Sequence, residues 1–183
     1  MLAVLEQSVV FLTPGSIEGL IRGEGFLSTA WQLANIYLAG IGAETLGDEM
    51  RGIVGMSVGT TCYISLEYFG AQDDLSDYVV HEAAHVFHNT KRRTIGLAGT
   101  KRREWLLPIR FQKRETFAYA CEAYSRILEI AKKPADRRAL AETLSDWPLP
   151  SDDRVDPDEH IAILTEAVNR KNGWKSILAH CSE

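Results

Sequence analysis

The chain is poor in the features that would mark a membrane protein, a secreted protein or a nucleotide-binding loop. No apolar run approaches the roughly 18 residues that a membrane-spanning helix needs, so no membrane partner is expected. Cysteine is scarce. Cys62, Cys121 and Cys181 are odd in number and widely spaced, which argues against a disulfide frame and for reduced thiols in a cytoplasm. The apolar start from Met1 to Leu12 is interrupted by Glu6 and has neither a basic leader nor a small-residue cleavage site, so it does not read as a signal peptide. Within it, Val9-Val10-Phe11-Leu12 reads as a strand or helix packing into a core. Gly40, Gly42, Gly47, Gly52, Gly55 and Gly59 punctuate the middle of the chain without phosphate-loop spacing. There is no internal repeat or low-complexity tract, and nothing supports base-specific nucleic-acid recognition.

What remains is an ordinary soluble composition. Hydrophobic residues make up 45% and charged residues 25% of the 183 positions, which suits one domain over residues 1–183. A chain of this length buries roughly 70% of its unfolded surface.

The informative stretch is His81-Glu82-Ala83-Ala84-His85. Val79, Val80, Ala83, Ala84, Val86 and Phe87 make the surrounding segment apolar and helix-compatible, Asp73 and Asp74 are candidate caps, and Asn89-Thr90 suits the end. Residues four apart share a helix face, so both imidazoles can reach one metal ion from adjacent turns. Glu82 lies one step round, where it can meet a water at the metal rather than the metal itself. Before the motif, Thr60 to Glu67 reads as an edge strand, with Cys62, Ile64 and Leu66 on a buried face. Such an edge can hold extended peptide by strand addition.

A catalytic zinc site takes three protein ligands and leaves a position for water. The candidate third ligand is Glu115, which opens a long helix running to Leu128 between Pro108 and Pro134. Glu115, Ala118, Tyr119 and Glu122 share a face of it. Small Ala118 permits close approach to the motif helix, and Glu122, two turns on, is placed to accept an imidazole N–H. His88 lies on the same face as His81 and His85. Three side chains of one helix do not easily surround an ion, so His88 reads as a flank or a supporting partner. Cys121 reads as a small core residue, and His160 and His180 as satisfied surface or core histidines.

H-E-x-x-H followed by a helical Glu resembles the gluzincin type of zinc metallopeptidase. Glu115-Thr116-Phe117-Ala118 is similar to the E-x-F-A ligand helix of compact members, including anthrax-lethal-factor-like toxin peptidases. It resembles more loosely the E-x-x-A pattern of peptidases that cleave phage and stress repressors. The resemblance covers roughly residues 60–128. It implies His81, His85 and Glu115 as Zn2+ ligands and Glu82 as general base. Two departures stand out. Tyr119 occupies the place, four residues after the ligand Glu, where well-known gluzincins often have an Asp that orients a histidine. No residue matches the usual oxyanion donor, for which Tyr119 and Tyr63 are the candidates. The metzincin pattern fails, because His88 and Lys91 stand where it needs glycine and histidine.

Charge is uneven. The net is −5, yet residues 91–114 hold nine basic side chains and a single acid, Glu104. The segment links the two expected ligand helices, so it can steer an acidic peptide or protein, lie beside nucleic acid, or be a solvated loop. Elsewhere, helices are expected from Pro14 to Ile21 and from Phe26 to Leu38, the latter with a core face of Ala30, Trp31, Leu33, Ala34, Tyr37 and Leu38. Further helices are expected over Pro134–Leu144, Asp158–Asn169 and Trp174–Cys181, with Trp147 to Asp153 a stiff loop. The expectation is a helix-rich α+β zincin-like domain, with a small sheet whose edge strand precedes the metal-binding helix. It would be a zinc-dependent peptidase acting on a peptide or protein. The alternatives are a catalytically inactive zincin-like binding or regulatory module, and a helical domain carrying the motif by chance.

Overall fold

The computed structural model describes residues 8–47, 54–70 and 74–182, and shows a helix-rich α+β protein. Internal contacts group the chain into two units, 1–72 and 73–183.

The first unit holds strand β1 (Val9–Leu12), helices α1 (Ile17–Gly23) and α2 (Leu27–Gly40), and strands β2 (Gly55–Val58) and β3 (Thr61–Ser65). Val9 to Leu12 is therefore a strand, and the rest of the apolar start, Met1 to Gln7, lies outside the described residues. The sheet order is β1-β3-β2, with β1 parallel and β2 antiparallel to β3. Gly59 turns the β2–β3 hairpin with φ 59°, a left-handed conformation that glycine adopts without steric cost. The placement of β3 corrects one expectation. It is the central strand, paired on both sides, and so has no open edge on which a peptide can add as a strand. The expected alternation also stops at Ile64. Ser65 is buried because helix α2 ends against it, and a Cβ on Gly40 would lie 2.0 Å from the Ser65 hydroxyl.

Leu12, Leu33 and Ile36 form this unit's core, with Ile17, Leu20, Tyr37, Met56 and Tyr63 packed around them. The buried face of α2 is rotated from the expected one. Trp31 is exposed, while Asn35 and Ile36 are fully buried. Asn35 tolerates burial because its amide donates to the Trp31 carbonyl at 2.9 Å and its carbonyl accepts from the Leu46 N–H at 2.6 Å.

The second unit is helical: α3 (Tyr78–Asn89), α4 (Arg114–Ile130), α5 (Pro134–Ala141), α6 (Pro157–Asn169) and α7 (Gly173–Ser182). Asp77 caps α3, its side chain accepting from the Val80 N–H at 3.1 Å. Of the two caps expected, Asp73 lies outside the described residues and Asp74 stands before the true cap. Pro134 and Pro157 start α5 and α6, where a missing N–H costs nothing. The core of this unit joins Ala84 of α3 to Phe117, Ala118, Ala120, Cys121, Tyr124 and Ile127 of α4 and to the inner faces of α6 and α7. Gly173 opens α7 against Tyr124, whose ring atoms would lie 2.3 Å from an added Cβ. No helix among the described residues is long and apolar enough to cross a membrane.

Between α3 and α4 the basic segment forms a pinned loop. Leu106 N–H donates to the Thr90 carbonyl at 3.0 Å and Leu107 N–H to the Phe87 carbonyl at 3.3 Å, so its return limb is tied to the end of the motif helix.

Candidate metal centre

Helices α3 and α4 pack side by side, with Ala84 and Ala118 keeping the contact free of bulky groups. This brings the two ends of the sequence motif together. His81 Nε2 and His85 Nε2 are 3.1 Å apart. Glu115 Oε2 lies 3.2 Å from His85 Nε2 and 3.8 Å from His81 Nε2. A tetrahedral zinc with bonds of about 2.0–2.1 Å sets its ligand atoms roughly 3.3 Å apart, so this triangle has the right size to hold one. Among the described residues it is the one cluster of metal-ligand type.

The other side of each ring explains why those three atoms converge. His81 Nδ1 is 3.1 Å from Glu122 Oε2, and a carboxylate there can only accept. That bond puts the proton on Nδ1 and leaves a lone pair on Nε2. His85 Nδ1 is 2.9 Å from His88 Nε2. Burial, reinforced by neighbouring His85, lowers the His88 pKa to about 4, so His88 is neutral and one ring nitrogen of the pair donates to the other. With the Nδ1 proton donated to His88, His85 Nε2 would also present a lone pair to the cluster. Two imidazole nitrogens and a carboxylate oxygen facing one another call for a cation, or at least a proton, between them. The proton affinity tells the same story. Burial alone would lower the His81 pKa, but Glu115 and Glu122 outweigh it and raise it to about 9. Glu115 itself is held well below the usual carboxylate range. Burial opposes that shift, and the imidazoles of His81 and His85 override it.

Glu122 has a second task. Its Oε1 accepts the backbone N–H of Asp77 at 2.6 Å, so one carboxylate orients a histidine and fixes the start of the helix that carries it. Glu82 is buried beside His81, with 8% of its surface exposed. Tyr119 packs edge-on against the His81 ring, with centroids 4.5 Å apart. Burial, then the nearby Glu122 charge, pushes its hydroxyl up to about 12, so it stays a donor at any ordinary pH.

The structure thus brings together His81, His85 and Glu115, the residues singled out by sequence, and gives Glu122 and His88 the supporting positions expected for them. Cys121 is a buried core residue. Tyr63 lies on β3 in the first unit. His180 is paired with Glu166 at 2.7 Å. His160 is buried, but its Nδ1 has no hydrogen-bond partner among the described residues, contrary to the expectation that it would be satisfied.

Sequence reasoning missed Arg154 and Asp152. Arg154 Nη1 lies 3.0 Å from Glu115 Oε1, and its guanidinium is also bonded to Asp152. Asp152 and Asp153 read as solvated acids of a stiff loop. No spacing in that loop connects it to a glutamate some 40 positions earlier.

No family model matches the chain, and neither a curated protein nor a solved structure matches it.

Proposed function

We propose that the protein is a zinc-dependent peptidase of gluzincin type, with His81, His85 and Glu115 holding the metal and Glu82 acting as general base. The observation that carries this reading is the convergence of two imidazole Nε2 atoms and one carboxylate oxygen at 3.1, 3.2 and 3.8 Å in a buried site. Three protein ligands, rather than four, is the donor count of a catalytic zinc. A Zn2+ held there would lower the pKa of a bound water towards about 7 and polarise a carbonyl. Glu82, one step round α3 from His81, accepts the water proton and returns it to the leaving amine. The protonated Tyr119 hydroxyl is the candidate donor to the oxygen that gains charge as the amide is attacked. Exposed cations of residues 91–114 suit an acidic peptide or protein as substrate. Unpaired, buried cysteines favour a reducing, cytoplasmic setting.

Metal stoichiometry and one substitution test the proposal. Protein purified without chelator should hold about one zinc per chain. Glu82→Gln should keep the metal and the fold but lose hydrolysis, since an amide cannot accept the proton. Glu115→Ala and His81→Ala should lose metal affinity. Full occupancy in a variant lacking both His81 and His85 would overturn the assignment. Tight zinc binding without hydrolysis of any peptide would favour the inactive binding module instead.

A further inference from the structure

We infer that Arg154 sets the denticity of Glu115, holding one carboxylate oxygen away from the metal so that the other alone can ligate. The inference rests on the metal site proposed above. The two oxygens of Glu115 have divided surroundings. Oε2 faces His85 and His81, at 3.2 and 3.8 Å. Oε1 faces two guanidinium groups, Arg154 Nη1 at 3.0 Å and Arg114 Nε at 3.3 Å. Arg114 is itself fixed, with its guanidinium over the Phe111 ring at 4.4 Å.

Arg154 is braced rather than free. Its Nε donates to Asp152 at 2.8 Å, its Nη2 makes a further bond to the same carboxylate, and its backbone N–H donates to Asp152 Oδ1 at 2.9 Å. The planar fork of an arginine can engage Asp152 along one edge and reach Glu115 with the remaining nitrogen, which a lysine cannot do. Nε, Nη1 and Nη2 are all turned to Asp152 or Glu115, which makes Arg154 a positioning residue for Glu115 although its side chain is half exposed. Turning Glu115 to bring both oxygens towards the histidines would break two ion-pair contacts in a site where the carboxylate is only 9% exposed. A carboxylate confined to one oxygen keeps the coordination number at three protein atoms and leaves room for water.

Cobalt(II) reports coordination number directly, because its visible absorption is strong in a four-coordinate site and falls severalfold when a further ligand is added. The full-length protein would be loaded with Co2+ in place of zinc. The wild type should show the strong band. Arg154→Ala should still bind one Co2+ at no loss of affinity, since a second oxygen becomes available. Its band should drop severalfold and its hydrolysis should fall about 10–100-fold, the usual effect of losing a group that orients a ligand. Asp152→Asn, which keeps the guanidinium but loosens its brace, should give an intermediate spectrum, and it serves if Arg154→Ala does not fold. A wild-type spectrum in both variants would overturn the inference, and so would loss of Co2+ binding in a folded Arg154→Ala. Failure of the wild type to take up any Co2+ would instead overturn the metal site itself.

Discussion

Glu122 joins the beginning of helix α3 to the ring of His81: one oxygen takes the Asp77 N–H at 2.6 Å and the other lies 3.1 Å from His81 Nδ1. The residue sits on α4, seven positions after Glu115, so a single helix supplies both a proposed metal ligand and the group that orients another. Position and tautomer of His81 are thereby set from the same element.

Replacing Glu122 with Ala should therefore weaken zinc affinity about 10–100-fold without removing any ligand. Glu122→Gln should do less, because its carbonyl can still accept from Nδ1. A competition titration against a chromophoric chelator reads both. Wild-type affinity in Glu122→Ala would show that the contact does not orient the ring.

These relationships differ in how far they were visible beforehand. His81, His85 and His88 share a face by helical spacing, and so do Glu115 and Glu122. Local periodicity therefore exposed the residues of the cluster and their supports before any fold was known. The helix–helix contact was legible in small Ala118. Strand β3 was legible by composition, but its neighbours were not. Its partner β2 is four residues long and begins with Gly55, too little pattern to declare a strand, so the sequence alone reads β3 as an edge. The rotation of α2 turns on Asn35, a polar residue whose burial depends on a bond to Leu46, 11 positions away. Arg154 reaches Glu115 only through the tertiary fold. Contacts closed by tertiary structure leave no periodic trace.

Metal removal should cost stability as well as activity. Without a cation, Glu82, Glu115 and Glu122 remain buried around two imidazoles. At free zinc about 1,000-fold above Kd the bound ion adds about 4 kcal/mol, which for a chain of this size corresponds to roughly 8–16 °C in Tm. Thermal melts with and without chelator should show that drop and its reversal by added zinc. The difference should vanish in Glu115→Ala. A chelator-insensitive Tm in zinc-loaded protein would contradict the site.

His160 should make the protein acid-sensitive in a defined window. Burial lowers its pKa from 6.5 to about 4 in the folded state. The unfolded chain thus binds the proton first as pH falls. Stability present above pH 6.5 is lost progressively down to about pH 4 and changes no further below it. The loss from this group is about 3 kcal/mol by the 1.4 kcal/mol that accompanies each pKa unit. His160→Leu removes the titrating group and should flatten that part of the profile. Urea unfolding at pH 7 and pH 4 in both proteins measures the difference, and equal slopes would mean that His160 is solvated in the folded protein.

The basic loop should act on substrate capture. Lys91, Lys113 and Arg114 are paired with Glu104, Glu159 and Glu115, whereas Arg102 and Arg103 have no carboxylate partner among the described residues and are exposed. They stand on a loop whose return limb is bonded to the end of α3, within one unit with α3 and α4. If these charges draw in an acidic peptide, replacing both arginines with Ser should lower kcat/KM and leave kcat nearly unchanged, because steering acts on encounter and not on chemistry. The effect should fade as salt passes roughly 0.15 M, where the Debye length is about 8 Å. A neutral peptide of the same length should be cleaved equally by both proteins. Capture that is independent of salt and unchanged in the double variant would return the loop to a solvated surface, its charge balanced by acids elsewhere in a chain of net −5.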